Sequence, residues 1–315
     1  EVRNESLQIF CDLIGVYSDG RIQVEFFPDA LLGSHTEHFR GVQLGDIEFM
    51  AAAPYVDICP GGLINWIPWT VSSFWESEIA NKAPDGIIFQ LMQDAWNDVG
   101  CQLLWNSPNG GYGLGNTVRP LVVPDDLRDL TMRVSGSLGF VRTLENMGKG
   151  TGMTVTTLPW ADVYGALERG VIDGSWNLWS TVVDSRHFEQ LNYYTDLNFG
   201  WDTNNIIMHK PLWDQLPPEL QDAVTRAARV AETYNYWAIQ VANLQYPEFL
   251  VEAGLEIYYP TSAERDLWRE AAQMPAVWAE LITPYLDERY PGQDMTSVML
   301  DELERIRTEL RALGK

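Results

Sequence analysis

Apolar positions in the first half of the chain switch between two periods. In "SLQIFCDLIGVYS", Leu7, Ile9, Phe10, Leu13 and Ile14 fall near one face of a 3.6-residue spiral, which predicts a helix ending at "SDGR". "RIQVEFFP" then alternates, with Ile22, Val24 and Phe26 on one side, and reads as a strand. "SHTEHFRGVQLG" reads as a helix with Ser34 as N-cap, and "DIEFMAAAP" as the next strand. "PDGIIFQLMQDAWNDVG" is a helix stopped by Gly100, with the strand "CQLLWN" behind it. This alternation of helix and strand predicts an α/β layer with parallel strands.

A second α/β segment follows, with the change near residues 115–125. "VPDDLRDL" reads as a short acidic helical turn leading into "DLTMRVSGS". In that strand Leu130, Met132 and Val134 share one face, and Thr131, Arg133 and Ser135 the other. "SLGFVRTLENMG" is a helix, "TGMTVTTLP" is extended, "WADVYGALERG" is a helix stopped at Gly170, and "VIDGSW" is a strand entering a turn. From Pro217 one very long helix is predicted, with Leu220, Val224, Ala227, Ala231 and Tyr234 at helical spacing and Pro247 as its kink or end. About thirty helical residues reach roughly 45 Å, enough to run along two lobes. "TSVMLDELERIRTELRALG" is a last amphipathic helix, either packed on its own chain or held in a dimer contact.

The composition is that of a folded chain: 315 residues, 46% hydrophobic and 21% charged. At roughly 150 residues per domain this length fits two domains. The net charge of −23 repels nucleic acid and anionic membrane surfaces. It leaves the charge of a small ligand open, because screening confines charge to about 8 Å at physiological salt. Cys11, Cys59 and Cys101 are widely spaced, with no Cys-x-x-Cys, and read as buried thiols or as one disulfide with a thiol left over. The most apolar region, 49–75, is broken by Asp57, Pro54, Pro60 and Pro68, so no membrane-spanning helix is predicted. The charged opening "EVRNES" is not a signal peptide, and the expectation is that any targeting segment has been removed.

No catalytic set emerges. His35 and His38 are three apart on one predicted helix, but no further Cys or His joins them, so no metal site is expected. There is no His-Glu-x-x-His, no Gly-x-Ser-x-Gly and no phosphate-cradling loop. "GGYGLG" at 110–115 runs into "NTVRP" rather than into a helix, and reads as a flexible crossing between lobes, not a dinucleotide loop. What remains is Arg133, with aromatic residues at strand ends: Tyr55, Trp105, Trp160 and Trp176, the last beside Asn177. A guanidinium fixed by a strand is a rigid fork suited to a carboxylate. That carboxylate is either a ligand's or one of the chain's own 44 acidic side chains.

Three ordered motifs carry a resemblance. They are "P-x-D-L-x-x-L-x-x-R-V" from Pro124 to Val134, "L-P-x-x-x-V-Y-x-A-L-x-x-G-x-I-D-G" from Leu158 to Gly174, and "W-D-x-L-P-P-E-L-Q" at 213–221. The chain resembles the substrate-binding proteins of tripartite ATP-independent periplasmic (TRAP) transporters from about residue 5 to the long helix and beyond. The resemblance implies that Arg133 pairs with a substrate carboxylate, that Asn177 hydrogen-bonds the same group, and that Trp160 stacks on the ligand. Two positions depart from the pattern. Gly113 stands where members with larger acidic ligands carry a second arginine. Trp176-Asn177 replaces the Glu-Trp pair that holds a metal ion in keto-acid binders, so neither metal nor cofactor is implied. The family's first strand, with its pocket loop, has no counterpart in this sequence.

The expectation is therefore a two-lobed α/β periplasmic binding protein of type II-like design, with hinge strands near 115 and 205 and a long lobe-spanning helix. Lobe I takes 1–116 plus 204–246, lobe II takes 117–203 plus 247–288, and 289–315 form the C-terminal helix. The expected function is capture of an organic acid, a monocarboxylate with an aromatic acid as first choice, and its delivery to membrane-embedded TRAP transporter subunits in the periplasm. The expected site is Arg133, Asn177, Trp160, Trp176, Trp201 and Tyr55, with no catalysis. The alternative is a sensory or ligand-presenting protein for a small hydroxy or keto acid. The chain is expected to be a monomer, or a homodimer through the C-terminal helix.

Overall fold

Burial of the apolar stripes read above sets the element order of the computed structural model, which describes residues 2–28 and 31–315. The first half comprises α1 (Val2–Tyr17), α2 (His35–Leu44), β1 (Phe49–Ala52), α3 (Leu63–Trp66), α4 (Phe74–Ala80), α5 (Ile87–Asp98) and β2 (Cys101–Asn116). Then come β3 (Thr131–Val134), α6 (Leu138–Met147), β4 (Thr154–Thr157), α7 (Val163–Glu168), β5 (Gly174–Leu178), α8 (Trp179–Asp184) and β6 (Tyr193–Thr195). The chain ends with β7 (Trp201–His209), α9 (Lys210–Gln215), α10 (Pro218–Glu252), β8 (Glu256–Tyr258), α11 (Ser262–Ala272), α12 (Met274–Leu281), α13 (Thr283–Arg289) and α14 (Met295–Ala312). Ser34 caps α2 through a reciprocal box with Glu37, and Gly45 closes it in the left-handed conformation, as the sequence predicts.

The strands run in the order β1-β7-β2-β5-β3-β4, with β6 on β2 and β8 on β6. β3 is parallel to β4 and β5, but β7 lies antiparallel between β1 and β2. The all-parallel expectation therefore fails in the first half, because a strand from much later in the chain returns to fill the gap. β2 is the seam. Its residues 101–111 pair with β7, and 112–116 pair with β5, so one strand belongs to both halves.

Several local expectations need correction. "GGYGLG" is not a flexible crossing but the buried second half of β2. Its glycines are there for closeness. A Cβ on Gly113 would stand 2.5 Å from the Tyr194 ring and 2.6 Å from the Thr195 carbonyl oxygen. "VIDGSW" does not turn at Trp176, because β5 runs on to Leu178 opposite β2. Residues 21–28 keep alternating burial but pair with no strand among the described residues, so period two is present without a ladder. Trp105 is fully buried against Phe10 in the core between α1 and α10, away from any cleft.

α10 continues through Pro247 to Glu252. Proline removes one helical hydrogen bond there, but Leu250 beyond it is buried among Leu191, Tyr194 and Leu255. Val224, Ala227, Ala228 and Ala231 sit in a different core with Phe10 and Ile14, so one helix of roughly 52 Å is fastened in both halves. α14 buries Met299, Leu303, Ile306 and Leu310 against its own chain. Its Arg307 pairs with Glu76 at 3.3 Å and donates to the carbonyls of Trp69 and Thr70. The apolar face that a dimer contact would need is thus already covered in cis. The three cysteines are buried free thiols, pushed up to about 11 for Cys11 and about 12 for Cys59 and Cys101, mainly by burial.

Two predictions follow from this packing. Gly113→Ala is expected to cost about 1–3 kcal/mol, read by urea denaturation, because strand backbone and a buried ring must move. Glu232 is buried on α10, where it accepts the backbone N–H groups of Ala83 and Asn106 at 3.2 Å and faces Arg229. Burial pushes its carboxyl up to about 7 from its ordinary value of 4.5. The folded protein holds this proton more tightly than the unfolded chain, so stability falls as pH rises from about 4.5 to about 7. Glu232→Gln is expected to flatten the melting temperature across that window relative to the parent; an unchanged pH profile would contradict it.

Candidate functional site

The site grows out of β3. Leu130, Met132 and Val134 enter the core, which fixes the strand and leaves Arg133 on the other face. Arg133 is only 4% exposed, and its neighbours in register are Thr156 of β4 and Ser175 of β5. The Leu158 carbonyl accepts from Nε at 3.1 Å and from Nη2 at 2.6 Å. Trp160 lies with its ring centre 5.3 Å from the guanidinium carbon. No carboxylate among the described residues neutralises the charge. Burial lowers Arg133 to about 10, and Tyr55 is the group that opposes the shift. Of the two readings open to the sequence, no internal salt bridge to Arg133 is made among the described residues.

The end of the fork is framed by Trp160 and His187. Trp160 is 39% exposed, donates its indole N–H to Ser185 Oγ at 3.2 Å, and packs 4.7 Å from the His187 ring. His187 is buried, and burial together with the Arg133 charge lowers it to about 4, so it is a neutral ring beside a fixed cation. Asn177 projects from β5. Its amide nitrogen donates to Ser175 Oγ at 2.7 Å, and its oxygen is buried with no partner. Gly115 on β2 packs toward that amide, so the strand pairing sets where Asn177 points.

Aromatic rings close the other side. Trp176 stacks on Phe140 at 4.4 Å and meets Phe199 and Tyr112 edge-on at 4.3 and 5.4 Å. Trp66, from the first half, stacks on the opposite half's Phe140 at 5.6 Å and meets Tyr55 at 5.1 Å. Tyr55 also meets His35, whose Nε2 accepts from the Ala53 N–H at 2.9 Å. That bond gives His35 a structural task in place of the metal pairing weighed with His38. Trp201 sits one layer behind. It faces Phe74 and, with Trp66, Tyr112 and Asn65, lines a gap of about 10 Å³, the size of one water.

A polar cluster that the sequence did not flag lies beside Tyr55. Asp202, next to Trp201, accepts from the Tyr112 hydroxyl and the Asn109 amide, and Arg3 donates to Asn109 in turn. Burial and Asp202 push the Tyr55 phenol up, while Arg133 pulls it down, so Tyr55 feels both charges. The structure thus brings Arg133, Trp160, Trp176, Asn177 and Tyr55 to one region, adds His187, Phe140, Phe199 and Tyr112, and sets Trp201 behind them. Phe140 and His187 carry no sequence signal, since each is a single residue in a short helical segment. Asp202 stands next to a tryptophan that was flagged, and that adjacency is the one clue to it.

No helix among the described residues is long and apolar enough to cross a membrane. The chain is 25% identical over 285 residues to the C4-dicarboxylate-binding periplasmic protein DctP of Rhodobacter capsulatus, covering 89% of this chain and 80% of that protein. A TRAP periplasmic solute-binding protein from Ochrobactrum anthropi shares the fold at a TM-score of 0.85, with 22% identity over 98% of this chain and 92% of that one. Another from Anaerococcus prevotii, crystallised with bound D-glucuronate, aligns at a TM-score of 0.83 with 20% identity over 98% and 95%. The family model described as bacterial extracellular solute-binding protein, family 7, matches residues 2–283. With its three motifs, its shared strand β2 and its matching two-lobed fold, the chain belongs to that family, the DctP-type solute-binding proteins of TRAP transporters.

Proposed function

We propose that the protein captures a monocarboxylate in the periplasm and presents it to the membrane-embedded subunits of a TRAP transporter, without chemical turnover. The observation that carries this reading is the buried Arg133 guanidinium, held by the Leu158 carbonyl and left without a counter-charge among the described residues. A buried cation without a counter-charge is costly, and a ligand carboxylate supplies the missing charge. Asn177 adds a hydrogen bond from its free amide hydrogen, Trp160 covers the fork, and Trp176 and Tyr55 wall the ligand's body. Trp201 supports this wall from behind.

In this reading the lobes follow the division expected from the sequence, 1–116 with 204–246 and 117–203 with 247–288. Closure of lobe I onto lobe II brings Trp66 against Phe140 and excludes water from the Arg133 pair, which strengthens it. The ring-lined space favours a compact acid with a flat or apolar body. The glucuronate bound by the Anaerococcus relative supports the organic-acid class. A large diacid is disfavoured, because Gly113 has no room even for a Cβ and so no second cation can stand there.

The test is a thermal-shift and calorimetric screen of short-chain and aromatic carboxylates, starting with ligand identified by mass spectrometry of the native protein. Arg133→Ala is expected to cost about 2–5 kcal/mol of binding, at least about 30-fold in Kd. Arg133→Lys keeps the charge but loses the fork and is expected to recover only part of this. Equal stabilisation of Arg133→Ala and parent by the same acid would refute the clamp. Affinity is also expected to stay flat between about pH 5.5 and 8, since Arg133 stays charged up to about 10 and His187 stays neutral down to about 4. A midpoint near 6.5 in the binding profile would place a titrating histidine in the site instead.

A further inference from the structure

Tyr112 stands where β2 changes partners. Gly111 pairs with Trp201 of β7, and Tyr112 with Leu178 of β5. The Tyr112 backbone N–H donates to the Gly200 carbonyl at 2.9 Å, at the end of the segment that leads from β6 to β7. Its ring meets Phe140 at 5.2 Å and Trp176 at 5.4 Å, so it belongs to the aromatic wall beside Arg133. Its hydroxyl donates to the buried carboxylate of Asp202 on β7. Burial and the Asp202 charge push this phenol well above its ordinary value of 10, so the hydroxyl stays a donor. Asp202 is held in turn. A register break in the β2–β7 ladder between Pro108 and Gly110 re-aims Asn109. Asn109 is buried, donates to the second Asp202 oxygen, and accepts from Arg3 of α1.

Stability alone does not ask for this chain of bonds. Phenylalanine at 112 with an apolar residue at 202 would bury similar surface without taking a carboxylate out of water. What the pair adds is direction. Apolar contact is non-directional and lets rings slide. A hydroxyl-to-carboxylate bond is charge-assisted and holds one atom in place. One end of this tether is in β7, which pairs with β1 and β2. The other end is the ring that presses on Phe140 of α6 and Trp176 of β5. The tether therefore fixes the aromatic wall of one half from a strand of the other.

We propose that Asp202 is a positioning residue for ligand selection: by holding the Tyr112 hydroxyl it fixes the Tyr112, Phe140 and Trp176 rings where a flat acid body packs against them. The proposal rests on the reading of the Arg133 cleft as a carboxylate site. Asp202 touches no ligand in it and acts only through Tyr112. Its loss changes which acids are preferred and leaves the clamp on the carboxylate in place.

Calorimetry of the full chain with two probe acids, benzoate and butanoate, tests it. Tyr112→Phe keeps the ring and drops the hydroxyl, and Asp202→Leu drops the acceptor. Each is expected to lower the preference for benzoate over butanoate by about fivefold or more. In the Tyr112→Phe background, Asp202→Leu is expected to lower it no further, because the two act through one bond. A preference unchanged in Tyr112→Phe overturns the positioning role and leaves the clamp standing. Equal binding by Arg133→Ala and parent overturns the carboxylate reading beneath it. A parent that binds neither acid overturns the flat-acid wall. Fluorine NMR of ligand-free protein labelled with fluorotryptophan gives a second readout, with Trp176 assigned through Trp176→Phe. The Trp176 resonance is expected to move in Tyr112→Phe, as the retained ring shifts against it, while that of Trp268 on α11 stays. A Trp176 resonance at the parent position in both Tyr112→Phe and Asp202→Leu overturns the proposal whatever the acids do.

Discussion

A single unpaired guanidinium organises this molecule. Arg133 is taken out of water by the strand that carries it, with the Leu158 carbonyl and the Trp160 ring against it. Everything near it respects that charge. His187 is kept neutral, Tyr55 is drawn toward ionisation by it and away by Asp202, and no acid among the described residues comes to cancel it. A protein that merely needed stability would replace such a residue with an apolar one. In the proposed function, a ligand carboxylate supplies the partner that this buried charge lacks among the described residues.

The route from that charge to a working cleft runs through β2. Its first part pairs with β7 and its last part with β5, so the two halves share one continuous strand. Glycines in the shared part let neighbouring side chains press onto the backbone, and this closeness sets where Asn177 and Tyr112 point. α10 spans the same two halves from outside, fastened in one core by Val224 and Ala228 and in the other by Leu250. A closing motion must be accommodated at these two connections, while the aromatic pair Trp66 and Phe140 meets between the halves.

The helices and the parallel strands of the second half were legible because their physics is local. The Ser34 and Glu37 box, the stop at Gly170 and the long run from Pro217 each follow from spacing and capping within a few residues. Arg133 was legible for the same reason, as one charge in an otherwise apolar strand at a motif's end. Residues 21–28 show the limit: the alternation is real, but a strand also needs a neighbour, which no local pattern supplies.

By itself, the sequence determined the α/β class, the lobe-spanning helix and the identity of the cation, since periodicity, caps and motif order are written along the chain. Only the tertiary structure decided that β7 inserts between β1 and β2, that "GGYGLG" is buried strand, and that Arg133 has no acidic partner among the described residues. It alone brought Phe140, His187 and Asp202 to the site. Those facts depend on which distant segments meet, and burial, pairing and neutralisation are properties of the meeting and not of either segment.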